Sequence, residues 1–396
     1  MISRTVTALF WLCVLAVLHP YVVYPCTLWL AGLVTGEQSG TDAGGTPSVA
    51  LAIAAYNERE VIERKLQNSF ALEYPDEKLH IAVLDDGSTD GTDDIVRSYA
   101  DRGVELYRVE GRVGKTACQN AFVADAEADV VVFSDADSMY DADAVRRLVD
   151  RFEPGVGCVV GDLRHRSADR IVGECVYWRF EQWLKRLESR VSTTVTGTGA
   201  IYGVRRSSYV PLPADAVSDF ALPLAILERG ERVAYAPGAV ARERMSGDLG
   251  LALDRRLRIA ARVWRTGLRR RALCSPLGRP LVAYQLLSHR VLQAAAPLAV
   301  CGLLVTSAVL VATDGGVVPV AVLALLSGVG VLAGVGAILH GAGRALPSVV
   351  GVPYYLARAG VDLFRGLSTL RRDGAYTTWE TVDRAEPGHG ESPSDD

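Results

Sequence analysis

The chain has 396 residues, of which 49% are hydrophobic and 22% charged, and its net charge is −4. The length exceeds one ordinary domain, and the near-balanced charge leaves no electrostatic footprint for nucleic acid. Seven cysteines (13, 26, 118, 158, 175, 274 and 301) are scattered with no C-x-x-C pair, which argues against a disulfide framework and against a zinc site.

Residues 7–33 are mostly apolar and uncharged, long enough to cross a ~30 Å hydrocarbon core as a helix. Arg4 precedes them but no small-x-small cleavage site follows, so residues 1–34 read as a membrane anchor, kinked at Pro20. Residues 35–47 are rich in Gly, Thr and Ser, the composition of a linker. From 48 to 245, strand and helix patterns alternate. Strands are predicted over Val49 to Ala55, 79–84, 104–109, 129–134 and 157–161, and the stripe Ile62, Leu66 and Phe70 marks a helix after the first. This alternation predicts an α/β domain: a Rossmann-like, mainly parallel sheet with right-handed crossovers and helices on both faces. A helix over Ala221 to Arg229, stopped by Gly230, and a strand over Arg232 to Ala236 close the domain.

In residues 246–290, Arg255, Arg258, Arg262, Arg265 and Arg269 fall on one helical face, and Leu257, Ala261, Trp264 and Leu268 on another. That is the pattern of a basic amphipathic helix lying on membrane lipids, and it puts the α/β domain on the cytoplasmic side. Residues 291–313 and 317–341 form two further apolar segments of spanning length. Three spans place the N-terminus outside and the domain and tail inside. Residues 342–372, with Arg358, Asp362 and Arg365, read as an interfacial segment. Residues 373–396 form a polar cytosolic tail whose last part has the composition of a disordered segment.

Three predicted strands end on polar groups. Val130 to Phe133 runs into Ser134-Asp135-Ala136-Asp137, and alternation along a strand gives the two carboxylates one facing, suited to a divalent cation that also bridges phosphates. Leu79 to Leu84 runs into Asp85-Asp86-Gly87-Ser88-Thr89-Asp90-Gly91-Thr92. Carboxylates there can accept hydrogen bonds from a uracil ring or ribose, although Asp90 to Asp93 also suit a turn and helix cap. The strand over Val49 to Ala55 ends in Tyr56-Asn57-Glu58. Ligands of open α/β sheets sit beyond such strand ends. Gly114-Lys115-Thr116 lacks the upstream glycine of a P-loop, since Val109 stands in its place; Lys115 is then either a surface lysine or a cation near phosphate.

Tyr56-Asn57-Glu58, Asp85 to Thr92, Gly114-Lys115 with Asn120, and Asp135-Ala136-Asp137 occur in an order that resembles family 2 glycosyltransferases. Tyr177-Trp178-Arg179-Phe180-Glu181, Gly199 to Arg205, Ser218 to Pro223, Ser288-His289-Arg290 and Thr378-Trp379-Glu380 resemble later blocks of the membrane-embedded branch, similar in layout to cellulose, chitin, hyaluronan and poly-N-acetylglucosamine synthases. The resemblance implies a GT-A type fold, a UDP-sugar donor, Mg²⁺ or Mn²⁺, and a glycan or lipid-linked acceptor. By position it implies that Ala54, Tyr56, Glu58 and Asp86 line the nucleotide pocket, that Asp135 touches ribose or phosphate, that Asp137 holds the metal on the diphosphate, and that Asp219 is the general base. Asp219 equally suits the N-cap of the helix that follows it.

The family's Q-x-x-R-W pattern has only Arg255-Arg256-Leu257-Arg258-Ile259 as its match, without the Gln or the Trp, which leaves Arg258 as the diphosphate candidate. Ser218 stands where an acidic residue usually precedes the base. Three spans are few for a polymer channel, so export would need a homo-oligomer or a partner. Two rival readings stand: a polyprenyl-phosphate sugar synthase, and a catalytically silent nucleotide-sugar-binding subunit of an export complex.

Overall fold

The computed structural model describes residues 2–35, 45–166, 172–244, 266–344 and 346–369. Two helices, α1 (Ile2–Leu18) and α2 (Tyr24–Thr35), are joined by a π-helical turn, His19–Val23, that contains Pro20. The α/β part follows as β1 (Val49–Ala55), α3 (Arg59–Phe70), β2 (Leu79–Asp85), α4 (Thr92–Arg97), β3 (Val104–Arg108), α5 (Lys115–Asp125), β4 (Val130–Asp135), β5 (Met139–Tyr140), α6 (Ala144–Val149), β6 (Val156–Arg166), α7 (Val172–Val191), β7 (Ile201–Arg205), α8 (Ser218–Glu228) and β8 (Arg232–Arg244).

All seven residues of β1 are buried, because the strand is flanked on both sides and covered on both faces. Its side chains sort by parity. Val49, Leu51, Ile53 and Ala55 pack with Ile62 and Leu66 of α3 and Leu148 of α6. Ala50 and Ala52 pack with Phe122 of α5 and Leu224 of α8 on the opposite face. Two cores therefore sandwich one sheet.

The sheet order is β3-β2-β1-β4-β7-β6-β8-β5. The first four strands are parallel, as are β6 and β8; β7 runs antiparallel to β4 and β6, and β5 antiparallel to β8. The sheet is thus mostly parallel but mixed. Where sequence patterning expects a strand to stop before Pro237, β8 continues to Arg244; its register against β6 jumps from Ala236 to Val240, so a bulge absorbs Pro237 and Gly238. Helix α8 begins at Ser218, ahead of the expected Ala221.

Two features of the sheet locate a site. The strands end in register, with Ala55 beside Asp85 and Ala54 beside Asp135. The order also reverses at β1: β2 and β3 lie on one side, β4 on the other. The crevice past the carboxyl ends of β1 and β4 is therefore the topological switch point.

Beyond the sheet come α9 (Pro280–Leu286), a π-helical turn (Leu287–Val291), α10 (Leu292–Thr313), α11 (Val317–Gly341) and α12 (Ser348–Thr369). Among the described residues, three helical stretches, Arg4–Thr35, Pro280–Thr313 and Val317–Gly341, are long and apolar enough to cross a membrane. The second begins earlier than its apolar composition suggests, because the helix continues through Gln285, Ser288, His289 and Arg290. Helix α1 packs on α10 through Phe10, Cys13, Leu303 and Leu310. Helix α2 packs on α7 through Tyr24, Leu28, Leu184 and Leu187.

Candidate active site

The loops after β1 and β2 interlock. Asn57 adopts a left-handed φ of 53°, rare for a residue with a side chain. It is held there because its backbone N–H donates to Ser88 Oγ at 2.9 Å and its Oδ1 accepts from Thr89 N at 2.8 Å. The backbone N–H of Glu58 donates to Thr92 Oγ1 at 2.9 Å. Asp90 accepts from Thr92 N at 3.0 Å and from Arg59 N at 3.0 Å, the turn-and-cap role its sequence position suits. Tyr56 lies at the mouth, half-buried, with the Arg112 guanidinium 4.0 Å from its ring centroid.

Asp85 and Asp86 are both fully buried at the end of β2. Asp85 accepts from Ser88 N at 3.1 Å and lies 3.4 Å from the Arg108 guanidinium. Asp86 Oδ1 accepts from the backbone N–H groups of Val113 and Gly114, each at 2.8 Å, whereas its Oδ2 has no hydrogen-bond partner among the described residues. An orphaned buried carboxylate oxygen is costly. Its other oxygen fixes Gly114, and hence the start of α5 and the position of Lys115.

Lys115 Nζ forms an ion pair with Asp135 Oδ1, which ties its side chain to the carboxyl end of β4. Asp135 is the last residue of β4. Asp137 lies in the following turn, so strand alternation does not set its direction, yet Asp135 and Asp137 are both partly exposed while Ser134, Ala136 and Ser138 are buried. Beneath them is Lys65 of α3, with no exposed surface. Its Nζ donates to the Ser138 carbonyl at 2.5 Å and stands 3.8 Å from the Tyr140 ring centroid. Burial pushes its ammonium down to about 7, against the opposing pull of Asp137, Asp135 and Glu243.

Asp219 lies within the first turn of α8. The N-cap position is Val217, with no side-chain cap bond, so Asp219 is not a capping residue. The segment before β7 reaches it because β7 runs antiparallel to β4, with Ile201 opposite Ser134, which delivers residues 197–200 to the carboxyl end of β4. At Gly197 a Cβ would collide with the backbone carbonyl of Asp219. At Gly199 a Cβ would stand 3.2 Å from Asp219 Oδ2, 3.4 Å from Asp135 Oδ2 and 3.6 Å from Lys115 Nζ. Side chains from α8, β4 and α5 therefore surround one point at the switch.

Of the residues picked from sequence, Ala54, Asp135, Lys115 and Asp219 come together at this point or in register with it. Tyr56, Glu58 and Asp86 line the neighbouring loops, and Asp137 sits one turn beyond Asp135. Arg258 lies outside the described residues, as do Arg255, Arg262, Arg265 and the tail block at Thr378 to Glu380. Within the same basic stripe, Arg269 is described, and its guanidinium is bidentate on Asp215 at 2.8 and 3.1 Å. It thus pairs with the α/β domain. Asn120 is a packing residue: it donates to the Leu212 carbonyl at 2.7 Å and accepts from Tyr209 Oη at 2.8 Å and Leu212 N at 3.0 Å. Sequence reasoning missed Lys65, Lys185 and Glu188, since a charged residue on a helix gives no local sign of being buried, and Gly197, whose close approach to Asp219 joins residues distant in the chain.

Among the described residues no group of three or more His, Cys, Asp or Glu side chains is arranged to hold a metal ion. A divalent ion that bridges a diphosphate needs only one or two carboxylates, the remainder of its shell coming from phosphate oxygens and water. Asp137 with Asp135 fits that requirement.

Residues 50–209 match the family model described as glycosyl transferase family 2. Among curated proteins, the chain is 28% identical over 202 residues to a poly-β-1,6-N-acetyl-D-glucosamine synthase of Staphylococcus aureus, covering 48% of each chain. It is 28% identical over 240 residues to an N-acetylglucosaminyltransferase of Azorhizobium caulinodans, covering 56% of this chain and 60% of that one. The chain thus spans about half the length of the curated relatives it matches. Among solved structures, a mannosyltransferase from Pyrobaculum calidifontis in complex with GDP-Man and Mn²⁺ superposes with a TM-score of 0.71 at 22% identity, over 93% of this chain and all of that one. The fold is of the GT-A type.

Proposed function

Because residues 50–209 belong to glycosyltransferase family 2, we propose that this chain is a membrane-bound inverting glycosyltransferase that moves a sugar from a UDP-sugar to a polysaccharide or glycolipid acceptor. One observation carries the reading: Asp219, Asp135 and Lys115 converge around Gly199 at the carboxyl ends of β1 and β4.

The donor's uridine lies across the loops at Ala54 to Glu58. Tyr56 offers an aromatic face, and the unpartnered Asp86 Oδ2 offers an acceptor for a ring N–H. Asp135 and Lys115 address ribose and diphosphate, with Arg258 assigned to the diphosphate. Asp137, with Asp135, would hold Mg²⁺ or Mn²⁺, which would supply positive charge beside the departing UDP. Asp219 takes the proton from the acceptor hydroxyl. The acceptor oxygen attacks the anomeric carbon from the face opposite the diphosphate, the carbon–oxygen bond to UDP breaks, and its electron pair leaves on the phosphate oxygen. One displacement inverts the configuration. Lys115 lies where negative charge develops on the leaving group, an electrostatic aid that costs no reorganisation in a preformed site.

The three apolar helices tether the domain, and the arginines of residues 255–271 support a cytoplasmic orientation. The curated relatives' names make UDP-N-acetylglucosamine the first donor to test. Full-length protein with Mn²⁺ is expected to release UDP, and Asp219→Asn to lower turnover about 10²–10⁴-fold. Unchanged turnover in that variant removes the base assignment.

A lipid-phosphate acceptor is a second reading. The Arg290 guanidinium stacks 4.9 Å from the Phe220 ring, next to Asp219, and among the described residues makes no hydrogen bond or ion pair. Its charge acts on the buried Glu181 carboxylate, but no hydrogen bond commits its guanidinium, which leaves its N–H groups for a phosphate. A phosphate needs little deprotonation, so this reading predicts activity that survives Asp219→Asn and a product that extracts into organic solvent.

A further inference from the structure

Residues 192–200, Ser-Thr-Thr-Val-Thr-Gly-Thr-Gly-Ala, have no regular secondary structure, yet they carry the two glycines that touch Asp219. An irregular segment with few apolar side chains needs external groups to fix its backbone. Those groups come from one face of α7. Lys185 is buried and donates to the Gly197 carbonyl at 3.2 Å and to Thr198 Oγ1 at 2.6 Å. Glu188 has no exposed surface; its Oε2 accepts from Thr194 Oγ1 at 3.0 Å and from Val195 N at 3.4 Å.

The same face of α7 is held from the other side by the apolar helices. Tyr24 Oη donates to Glu188 Oε1 at 2.5 Å. His289 lies between two carboxylates, its Nδ1 2.7 Å from Glu188 Oε1 and its Nε2 3.1 Å from Glu181 Oε2. Gln285 Nε2 donates directly to the Thr193 carbonyl at 2.8 Å, and Gln293 Nε2 lies 3.4 Å from Glu181 Oε1. Tyr24 belongs to the stretch Arg4–Thr35, and Gln285, His289 and Gln293 to Pro280–Thr313. A 34-residue helix is about 51 Å long, well beyond the ~30 Å of a bilayer core, so its first turns have length to spare for the domain. Buried carboxylates this well bonded are rigid, because breaking any one contact leaves a charge without its partner in low dielectric.

We propose that Tyr24, Gln285 and His289, from two separate membrane helices, are positioning residues: through Glu188, Glu181 and Lys185 they clamp residues 193–199 and so set where Asp219 stands. The membrane helices then complete the active site as well as tethering it. The inference rests on the reading of Asp219 as the base.

The test uses full-length protein in vesicles. Tyr24→Phe deletes one hydroxyl and keeps the ring, and Glu188 Oε1 keeps its contact with His289, so the variant is expected to fold; His289→Gln is the second variant. Each is expected to lower kcat about 10- to 100-fold, the scale of a misplaced catalytic group, with the donor KM within about twofold of wild type, as expected when only transition-state contacts are lost. Backbone amides of 193–199 are expected to exchange faster with deuterated solvent while those of β1 and β4 do not change. Unchanged kcat with unchanged exchange at 193–199 overturns the clamp. So does a donor KM that rises together with exchange across the whole sheet, which is general loosening. Asp219→Asn measured in parallel keeps the two failures apart, since an active Asp219→Asn sinks the base assignment while exchange at 193–199 still judges the clamp.

Discussion

Gly199 has no side chain at the point where Asp219, Asp135 and Lys115 meet, and Gly197 lies two residues earlier with its backbone pressed on the Asp219 carbonyl. The two glycines should therefore fail differently. A methyl at 199 fits beside its neighbours with shifts of a few tenths of an ångström, but it enters the space between the reacting groups. Gly199→Ala is expected to keep its melting temperature and lose about 10- to 100-fold in kcat/KM. A methyl at 197 forces main chain apart, and Gly197→Ala is expected to lose about 1–3 kcal/mol of stability, read by denaturation, along with activity. Equal melting temperatures for the two variants would contradict this. At this scale the acids were legible because they interrupt apolar runs: Asp85, Asp86 and Asp135 follow buried strands directly. Lys65 and Lys185 were not. Each sits on a helix whose sequence reads as ordinary surface, and only the neighbouring carboxylates and carbonyls make their burial tolerable.

Among elements, the parallel strands β1 to β4 stand close to where apolar runs put them, because a strand covered on both faces must be continuously apolar. Strand β7 escaped notice. It has five residues with Gly203 at its centre, and glycine inside a short run reads as a breaker. The structure supplies the reason: a Cβ there would meet Leu148 Cδ2 at 2.5 Å, so the glycine lets α6 seat on the sheet. Helix α5 gives the matching lesson for a motif. Asn120 falls within the block that resembles the family pattern, yet its three hydrogen bonds all go to residues 209–212, the segment leading to α8. Asn120→Ala is expected to cost about 1–3 kcal/mol by leaving the Leu212 groups unpaired. Donor affinity, read by calorimetry with UDP and Mn²⁺, should stay within about twofold of wild type, since at ~1.4 kcal/mol per tenfold even a few tenths would register. A large loss of donor affinity at unchanged stability would instead make Asn120 a ligand-binding residue.

For the whole molecule, the apolar stretches of spanning length among the described residues number three, which is odd, so the residues before the first and after the last belong on opposite sides of a bilayer if each crosses once. Reporters active only in the cytoplasm are expected to signal when fused at the C-terminus and to stay silent at the N-terminus; signal from both ends would refute three single crossings. The arrangement also explains the contact of α2 with α7. The first apolar helix and the domain meet through Tyr24, Leu28, Leu184 and Leu187, with the buried carboxylate of Glu188 at the joint. Helix and domain are thus packed together rather than connected by a tether alone.

By itself the sequence determined the α/β alternation, the apolar stretches and the acids at the strand ends, because each is written in local periodicity: buried strands must be apolar, spans must be long, and charge must wait for the strand to finish. Only the tertiary structure decided which of those acids share a point in space. That depended on β7 returning antiparallel to β4 and on α7 holding a segment without structure of its own. Both are contacts between residues far apart in the chain, and no local pattern encodes them.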